Sequence, residues 1–164
     1  MNLVVRLMRI IEVKEDKKQY LDLLLLADEQ ENMIDRYLDK GKMYVLDDNG
    51  IKCECIVTDE GNDVLEIKNI ATVPDYQGKG YAKSLIDFIV EKYREQYAIL
   101  QVRTGDSPLT IPFYEKCGFV RSHTYQISLQ IITTIQYMRM EYSWWIWCIC
   151  KGSYKETSSL LKES

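Results

Sequence analysis

The chain is poor in the residues that break or specialise a fold. Three prolines, eight glycines and one histidine, His123, stand in 164 residues, which excludes collagen-like and low-complexity chains. Long apolar runs are missing: the longest, Leu23 to Ala27 and Trp144 to Cys150, fall far short of the ~20 residues that cross a bilayer. The opening stretch, Met1 to Arg9, is interrupted by Arg6 and Arg9 and is too short for the hydrophobic part of a signal peptide. A cytoplasmic protein with no membrane partner is the expectation. A basic excess is also lacking, since 21 Lys and Arg against 25 Asp and Glu give a net charge of −4. Nucleic acid is therefore not an expected partner. The five cysteines contain no Cys-x-x-Cys and stand as Cys53-x-Cys55, Cys117 and Cys148-x-Cys150, so no metal site is expected. On a strand both members of the first pair point to one face, and two small buried thiols are the simplest reading of Cys53 and Cys55.

What is present is an ordinary globular composition, 46% hydrophobic and 28% charged, in a length that buries about two-thirds of its unfolded surface in one core. Arg9 to Val13 reads as a first strand and Lys14-Glu15-Asp16 as the polar start of a helix carrying Tyr20, Leu21, Leu24 and Leu25 at helical spacing. Met33, Ile34, Tyr37 and Leu38 predict a second short helix, which Gly41 stops. Two β-favouring runs, Met43 to Leu46 and Ile51 to Thr58, flank Asp47-Asp48-Asn49-Gly50, whose Asn-Gly pair signals a hairpin. A turn at Glu60 to Asp63 leads into a long strand, Val64 to Val73, ended by Pro74. Ala82, Leu85, Ile86, Ile89, Val90 and Tyr93 mark the clearest amphipathic helix. Ala98 to Val102 is a short strand, and Ser107-Pro108 opens a helix that ends at Cys117-Gly118 and starts irregularly because of Pro112. The order β-α-α-β-β-β-α-β-α predicts a mixed sheet covered by helices.

The informative stretch is Val73-Pro74-Asp75-Tyr76-Gln77-Gly78-Lys79-Gly80-Tyr81-Ala82, between a strand and the clearest helix. Small residues at 78, 80 and 82 let a ligand come close to the backbone, and amides at a helix start, at the positive end of its dipole, suit a pyrophosphate. Standing alone, Gly78 and Gly80 fit a plain turn equally well. Neither G-x-x-x-x-G-K-[ST] nor a G-x-G-x-x-G after the first strand is present, which sets aside nucleoside triphosphates and NAD.

The chain resembles the GNAT superfamily of acetyl-CoA-dependent N-acetyltransferases, in particular its small bacterial members. Gln77, Gly80 and Ala82 match the signature Q/R-x-x-G-x-G/A, and Phe113-Tyr114-Glu115-Lys116-Cys117-Gly118-Phe119 matches F-Y-x-K-x-G-F. The resemblance runs from about Met8 to Val120. It implies an α/β fold: a mixed, mostly antiparallel sheet with helices on both faces and a central parallel strand pair, Val64 to Val73 and Ala98 to Val102, that splays apart. It implies acetyl-CoA as co-substrate. Backbone groups of Ile70, Ala71, Thr72 and Val73 would hold the pantetheine arm. Amides of Gly78, Lys79, Gly80, Tyr81, Ala82 and Lys83, behind Gln77, would hold the pyrophosphate, and Ser107 would contribute a hydroxyl where many members have Asn.

The same resemblance makes Tyr114 the proton donor to the departing thiolate and Glu66, eleven positions before Gln77, the acceptor of the amine proton. A backbone N–H near Thr72 or Val73 would meet the oxyanion. The implied reaction is direct attack by a primary amine of a small molecule or peptide in a ternary complex. An acetyl-CoA-binding module without turnover is the alternative, and a homodimer is left open. Asp28, Glu29, Glu31, Asp35 and Asp39 crowd the helices that border the acceptor side in such folds, and read first as a solvated acidic surface.

Residues 1–122 thus read as the acetyltransferase domain, whereas 123–164 form an atypical ending that holds all three tryptophans and replaces or distorts the last two strands of the family. Reading the last base of each codon with the first two of the next explains it. Met140-Glu141 then forces glycine, Trp144-Trp145 and Trp147-Cys148 valine, and Trp145-Ile146 aspartate, within a string that resembles this branch's final strands. The expectation is a one-base frame change between Phe119 and Gln130. Gln126 to Ile132 is nonetheless β-favouring enough to form a strand.

Overall fold

A computed structural model describes residues 8–105, 108–125 and 144–150, the segments 121–125 and 144–150 by their backbone. The chain divides into two compact units, Met1–Ala98 and Ile99–Ser164.

The first unit holds strand β1 (Arg9–Val13), a 3-10 turn (Lys17–Tyr20), helices α1 (Leu21–Leu24) and α2 (Glu31–Leu38), and strands β2 (Lys42–Asp47), β3 (Ile51–Gly61) and β4 (Val64–Thr72). A second 3-10 turn (Pro74–Tyr76) leads to helix α3 (Tyr81–Tyr93). The strands pair antiparallel in the order β1-β2-β3-β4. Period-two alternation lets β2 face two helical layers. Met43 and Val45 join Val13, Leu24, Ile34, Tyr37, Leu38 and Ile56 in a core under α1 and α2. Tyr44 points the other way and sets its ring edge-on to Phe88 and Tyr93 of α3, at 5.4 and 6.4 Å. Helices on both faces of the sheet, as expected, are thus present in this unit.

The hairpin signal is borne out: Asn49 and Gly50 have φ of 56° and 108°, and Asp47 Oδ1 accepts the Gly50 N–H at 2.9 Å. The first helical segment is shorter than its periodicity implies. Asp16 is left-handed, with φ 46°, and a 3-10 turn replaces the first α-helical turn. Lys17 Nζ there reaches across to donate to the Leu38 and Gly41 carbonyls at 2.7 and 2.6 Å, capping the end of α2 by a contact distant in sequence.

Gly41 does not stop α2 by adopting a left-handed conformation. A Cβ placed on it would stand 2.6 Å from Ile56 Cγ2 and 2.8 Å from the Tyr37 carbonyl oxygen, so the glycine is required by close approach of α2 to β3. Gly41→Ala should lower stability by about 1–3 kcal/mol through overpacking, read as a fall in urea midpoint. An unchanged midpoint would show that the contact yields.

The second unit holds β5 (Ile99–Gly105), α4 (Thr110–Lys116), β6 (Val120–Tyr125) and β7 (Trp144–Cys150), with β7 antiparallel to both β5 and β6. The irregular start expected for α4 is seen, since Pro108 and Leu109 form a turn and the helix begins at Thr110. Pro112 lies in its first turn, where a missing N–H removes no helical hydrogen bond. Residues 126–143 and 151–164, on which the frame-change expectation chiefly bears, lie outside the described residues, as does the whole of the strand expected at Gln126 to Ile132. Among the described residues no helix is long and apolar enough to cross a membrane.

Candidate active site

The loop from Val73 to α3 is built by glycine geometry. Gly78 and Gly80 have φ of 75° and 85°, values a side chain resists, and a Cβ on either would meet nothing within 4 Å. Among the described residues the space in front of them is therefore left open. The ladder of α3 opens with the Ser84 N–H on the Gly80 carbonyl at 3.0 Å. Amides of the preceding turn have no i−4 carbonyl to bond and point out of the helix start. Among the described residues no side chain caps this end. A phosphate facing Gly80 to Lys83 would meet these amides and the positive end of a 13-residue helix.

The β2–β3 hairpin braces this loop, which sequence reasoning missed. Tyr81 Oη donates to Asp48 Oδ2 at 2.6 Å, and the Tyr76 ring lies edge-on to Tyr81 at 6.3 Å. Lys52 Nζ sits 3.8 Å above the Tyr76 ring and Lys79 Nζ 5.0 Å from it, so two ammonium groups converge beside the loop amides. No local motif marks Lys52 or Asp48. They are found only when the hairpin is folded against α3.

At the end of β4 the ladder divides the four predicted backbone positions by direction. The Val73 N–H donates to the Lys52 carbonyl at 2.8 Å, and Cys53 to Cys55 face Thr72 to Ile70 in antiparallel register. By the alternation of such a ladder, Ala71 and Val73 bond toward β3 while Ile70 and Thr72 aim their N–H and C=O at the other edge of β4. Of the two amides expected near an oxyanion, that of Val73 is thus spent on Lys52, and that of Thr72 is directed away from β3. Gln77 turns back to donate from Nε2 to the Thr72 carbonyl at 3.3 Å, so the signature glutamine ties the loop to the strand end.

Glu66 is buried, at 2% exposure, and its Oε1 accepts from Lys68 Nζ at 2.8 Å, which also holds Glu60 at 3.0 Å. It stands six residues before Thr72, about 20 Å along an extended strand, so the structure does not bring it to the loop. Tyr114 is buried in α4 between Phe113 and Phe119, ring centroids 5.0 and 5.4 Å away. Ser107 lies outside the described residues. Of the acidic group, Glu31 and Asp35 pair with Lys18 at 2.8 and 2.9 Å on the surface, whereas Asp28 turns inward to accept from Tyr37 Oη. Cys53 and Cys55 are fully buried free thiols on one face, as expected. Burial pushes the Cys53 thiol up to about 12 and the Cys55 thiol well above its ordinary value, so neither is a ready nucleophile.

Comparison with known proteins agrees with this geometry. Residues 39–121 match the family model described as the acetyltransferase (GNAT) domain. The chain belongs to the GNAT acetyltransferase family. It is 31% identical over 115 residues, 68% of this chain and 74% of the relative, to the uncharacterized N-acetyltransferase YvbK of Bacillus subtilis. An IAA acetyltransferase from Bacillus cereus shares 26% identity with a TM-score of 0.71, over 88% of this chain and 99% of that one. A GNAT family acetyltransferase from Elizabethkingia anophelis with acetyl-CoA bound has the same fold, with a TM-score of 0.73 at 23% identity, over 87% and 97% of the two chains. The mixed α/β sheet flanked by helices is therefore the GNAT fold. The chain is an acyltransferase of a family that takes its acetyl group from acetyl-CoA.

Proposed function

We propose that this GNAT chain transfers the acetyl group of acetyl-CoA to a primary amine of a small molecule or peptide by direct attack in a ternary complex, in the cytoplasm. The observation that carries this reading is the Gln77–Ala82 loop. Its two glycines leave open space before the first turn of α3, and two lysines converge beside it. Those features fit the pyrophosphate of the co-substrate: amides of Gly78 to Lys83 face the phosphates, with Lys52 and Lys79 as added cations. Backbone groups of Ile70 and Thr72 are directed to the strand edge along which an extended pantetheine would lie.

In the reaction the amine nitrogen forms a bond to the acetyl carbon, the C–S bond breaks, and the CoA thiolate takes a proton from Tyr114, the role implied by its place in F-Y-x-K-x-G-F. The Thr72 amide is the remaining backbone donor for the oxyanion. Glu66 would accept the amine proton only through intervening water, from its pairing with Lys68. We expect Glu66→Gln to change kcat by less than about threefold; a hundredfold fall would restore Glu66 as the base.

The reading itself is tested by titrating acetyl-CoA into the protein by calorimetry and then following free thiol release with a panel of primary amines. Binding with amine-dependent thiol release supports it. Binding without release from any amine would leave an acetyl-CoA-binding module, and no binding by the folded protein would remove the loop assignment. Residues 1–122 are proposed as the acetyltransferase domain and 123–164 as a replaced ending, which sequencing the encoding DNA across Phe119 to Gln130 decides.

A further inference from the structure

The face of the sheet beneath α1 and α2 contains three buried acceptor oxygens that no hydrogen bond reaches among the described residues. Glu54, in the middle of β3, has 0% exposure, and neither of its carboxylate oxygens has a hydrogen-bond partner. Asn69 on β4 is 2% exposed, and its Oδ1 is likewise unmet. The Asn69 amide cannot be turned round to repair this, because its nitrogen is committed twice. Nδ2 donates to the Leu24 carbonyl at 3.0 Å and to Tyr37 Oη at 2.9 Å. Tyr37 Oη passes its own proton to Asp28. This chain of donors therefore runs outward to Asp28 and leaves none of its own for Glu54.

The register places these groups together. Glu54 lies opposite Ala71, and Ile56 opposite Asn69, so Glu54 and Asn69 are diagonal neighbours on one face, about 7–8 Å apart at the backbone and within side-chain reach. Glu54 and Asp28 also sense each other. Burial first, and then the Asp28 charge, push the Glu54 carboxyl well above its ordinary value, while the Ala71 amide, which closes no hydrogen bond to it, pulls the other way. Unmet buried acceptors are costly. A Glu54 carboxyl that keeps its proton has one O–H and can meet one of the three oxygens, which leaves acceptor capacity over. The complement is a group that brings several N–H donors and a positive charge, in whose presence the carboxyl gives up its proton and accepts instead. A primary ammonium supplies three donors on one atom. Water supplies two and no charge.

We propose that Glu54 and Asn69, backed by Asp28, form the seat of a primary ammonium group, and that this seat receives the acceptor amine next to the strand end that holds the acetyl donor. The proposal rests on the acetyltransferase reading for the identity of that amine. Glu54 faces Ala71, one residue from Thr72, and is therefore the carboxylate adjacent to the pantetheine segment; Glu66 is at the far end of the same strand. Entry requires the connection between α1 and α2 to shift. That connection is held by the Asp28 N–H on the Leu24 carbonyl at 3.2 Å and by the same Asn69 and Tyr37 bonds, so occupancy of the seat and the position of the connection are coupled.

The test uses propylammonium chloride as probe and tetramethylammonium chloride, a cation without N–H donors, as control. Propylammonium should raise the Tm of the full chain and tetramethylammonium should not. Glu54→Gln, nearly the same shape and with a donor of its own, should lose at least nine-tenths of that shift while its own Tm stays level or rises and its acetyl-CoA affinity is unchanged. With an amine that is turned over, Glu54→Gln should raise KM tenfold or more. No stabilisation of the parent chain by propylammonium, equal stabilisation by both cations, or a full shift in Glu54→Gln would overturn the proposal. So would a marked fall in the variant's Tm, which would show the carboxylate to be structural. Glu54-dependent propylammonium binding without turnover of any amine would sink the acetyltransferase reading and leave the seat standing. Turnover with identical KM in both chains would do the reverse.

Discussion

Gly80→Val is expected to weaken acetyl-CoA binding by about a hundredfold, ~2.7 kcal/mol, in titration calorimetry. Gly80 is the N-cap of α3 with φ 85°. A β-branched residue held there is strained by about 1–3 kcal/mol, and relief by rotation would turn the first-turn amides away from the phosphates. Its side chain would also enter the space that is open before Gly80. The comparison that separates binding from strain is Gly61→Val. Gly61 has φ 78° and equally open surroundings, but it belongs to the β3–β4 turn, so the same strain should leave acetyl-CoA affinity unchanged. Unaltered affinity in Gly80→Val, with the fold intact by circular dichroism, would remove the loop from the co-substrate site.

Tyr114→Phe should lower kcat by about a hundredfold to a thousandfold, the range for loss of a positioned proton donor, with acetyl-CoA affinity unchanged. Phenylalanine keeps the ring that packs on Phe113 and Phe119, so Tm should move by no more than a few degrees for a loss of about 1 kcal/mol. The separation of kcat from Tm is what the experiment reads. A fall in Tm with proportionate loss of folded protein would make Tyr114 a packing residue. Full kcat with an intact fold would send the thiolate proton to another donor or to water.

The two largest effects are expected at positions that were visible in the sequence, and the reason is local. Gly80 and its neighbours are read from a strand, a turn with two glycines and an amphipathic helix in direct succession, and the backbone conformation that the loop needs is written into residues without side chains. The same holds for Asn49-Gly50, whose left-handed conformations make the hairpin, and for α3, where apolar spacing coincides with the buried face at Leu85, Ile86, Ile89 and Tyr93. Glu66 shows the limit of spacing as a guide. The family resemblance implied a base at its distance from Gln77 along the chain, and in the structure Lys68, two residues away on the same strand, holds its carboxylate.

The family, the order of elements, the two-glycine turn before α3 and the burial of Cys53 and Cys55 were all legible in the sequence, because each depends on residues close together along the chain. Tertiary structure alone decided which polar groups are left without partners. Glu54 looks like one charged residue between two cysteines, and only the pairing of β3 with β4 and the cover of α1 and α2 strip it of water and donors. Tertiary pairing likewise decided that the Val73 amide is consumed by Lys52, that Lys52 stands over Tyr76, and that Gly41 is needed for close approach. Hydrogen bonding and burial are properties of pairs brought together across tens of residues, and a linear pattern has no term for them.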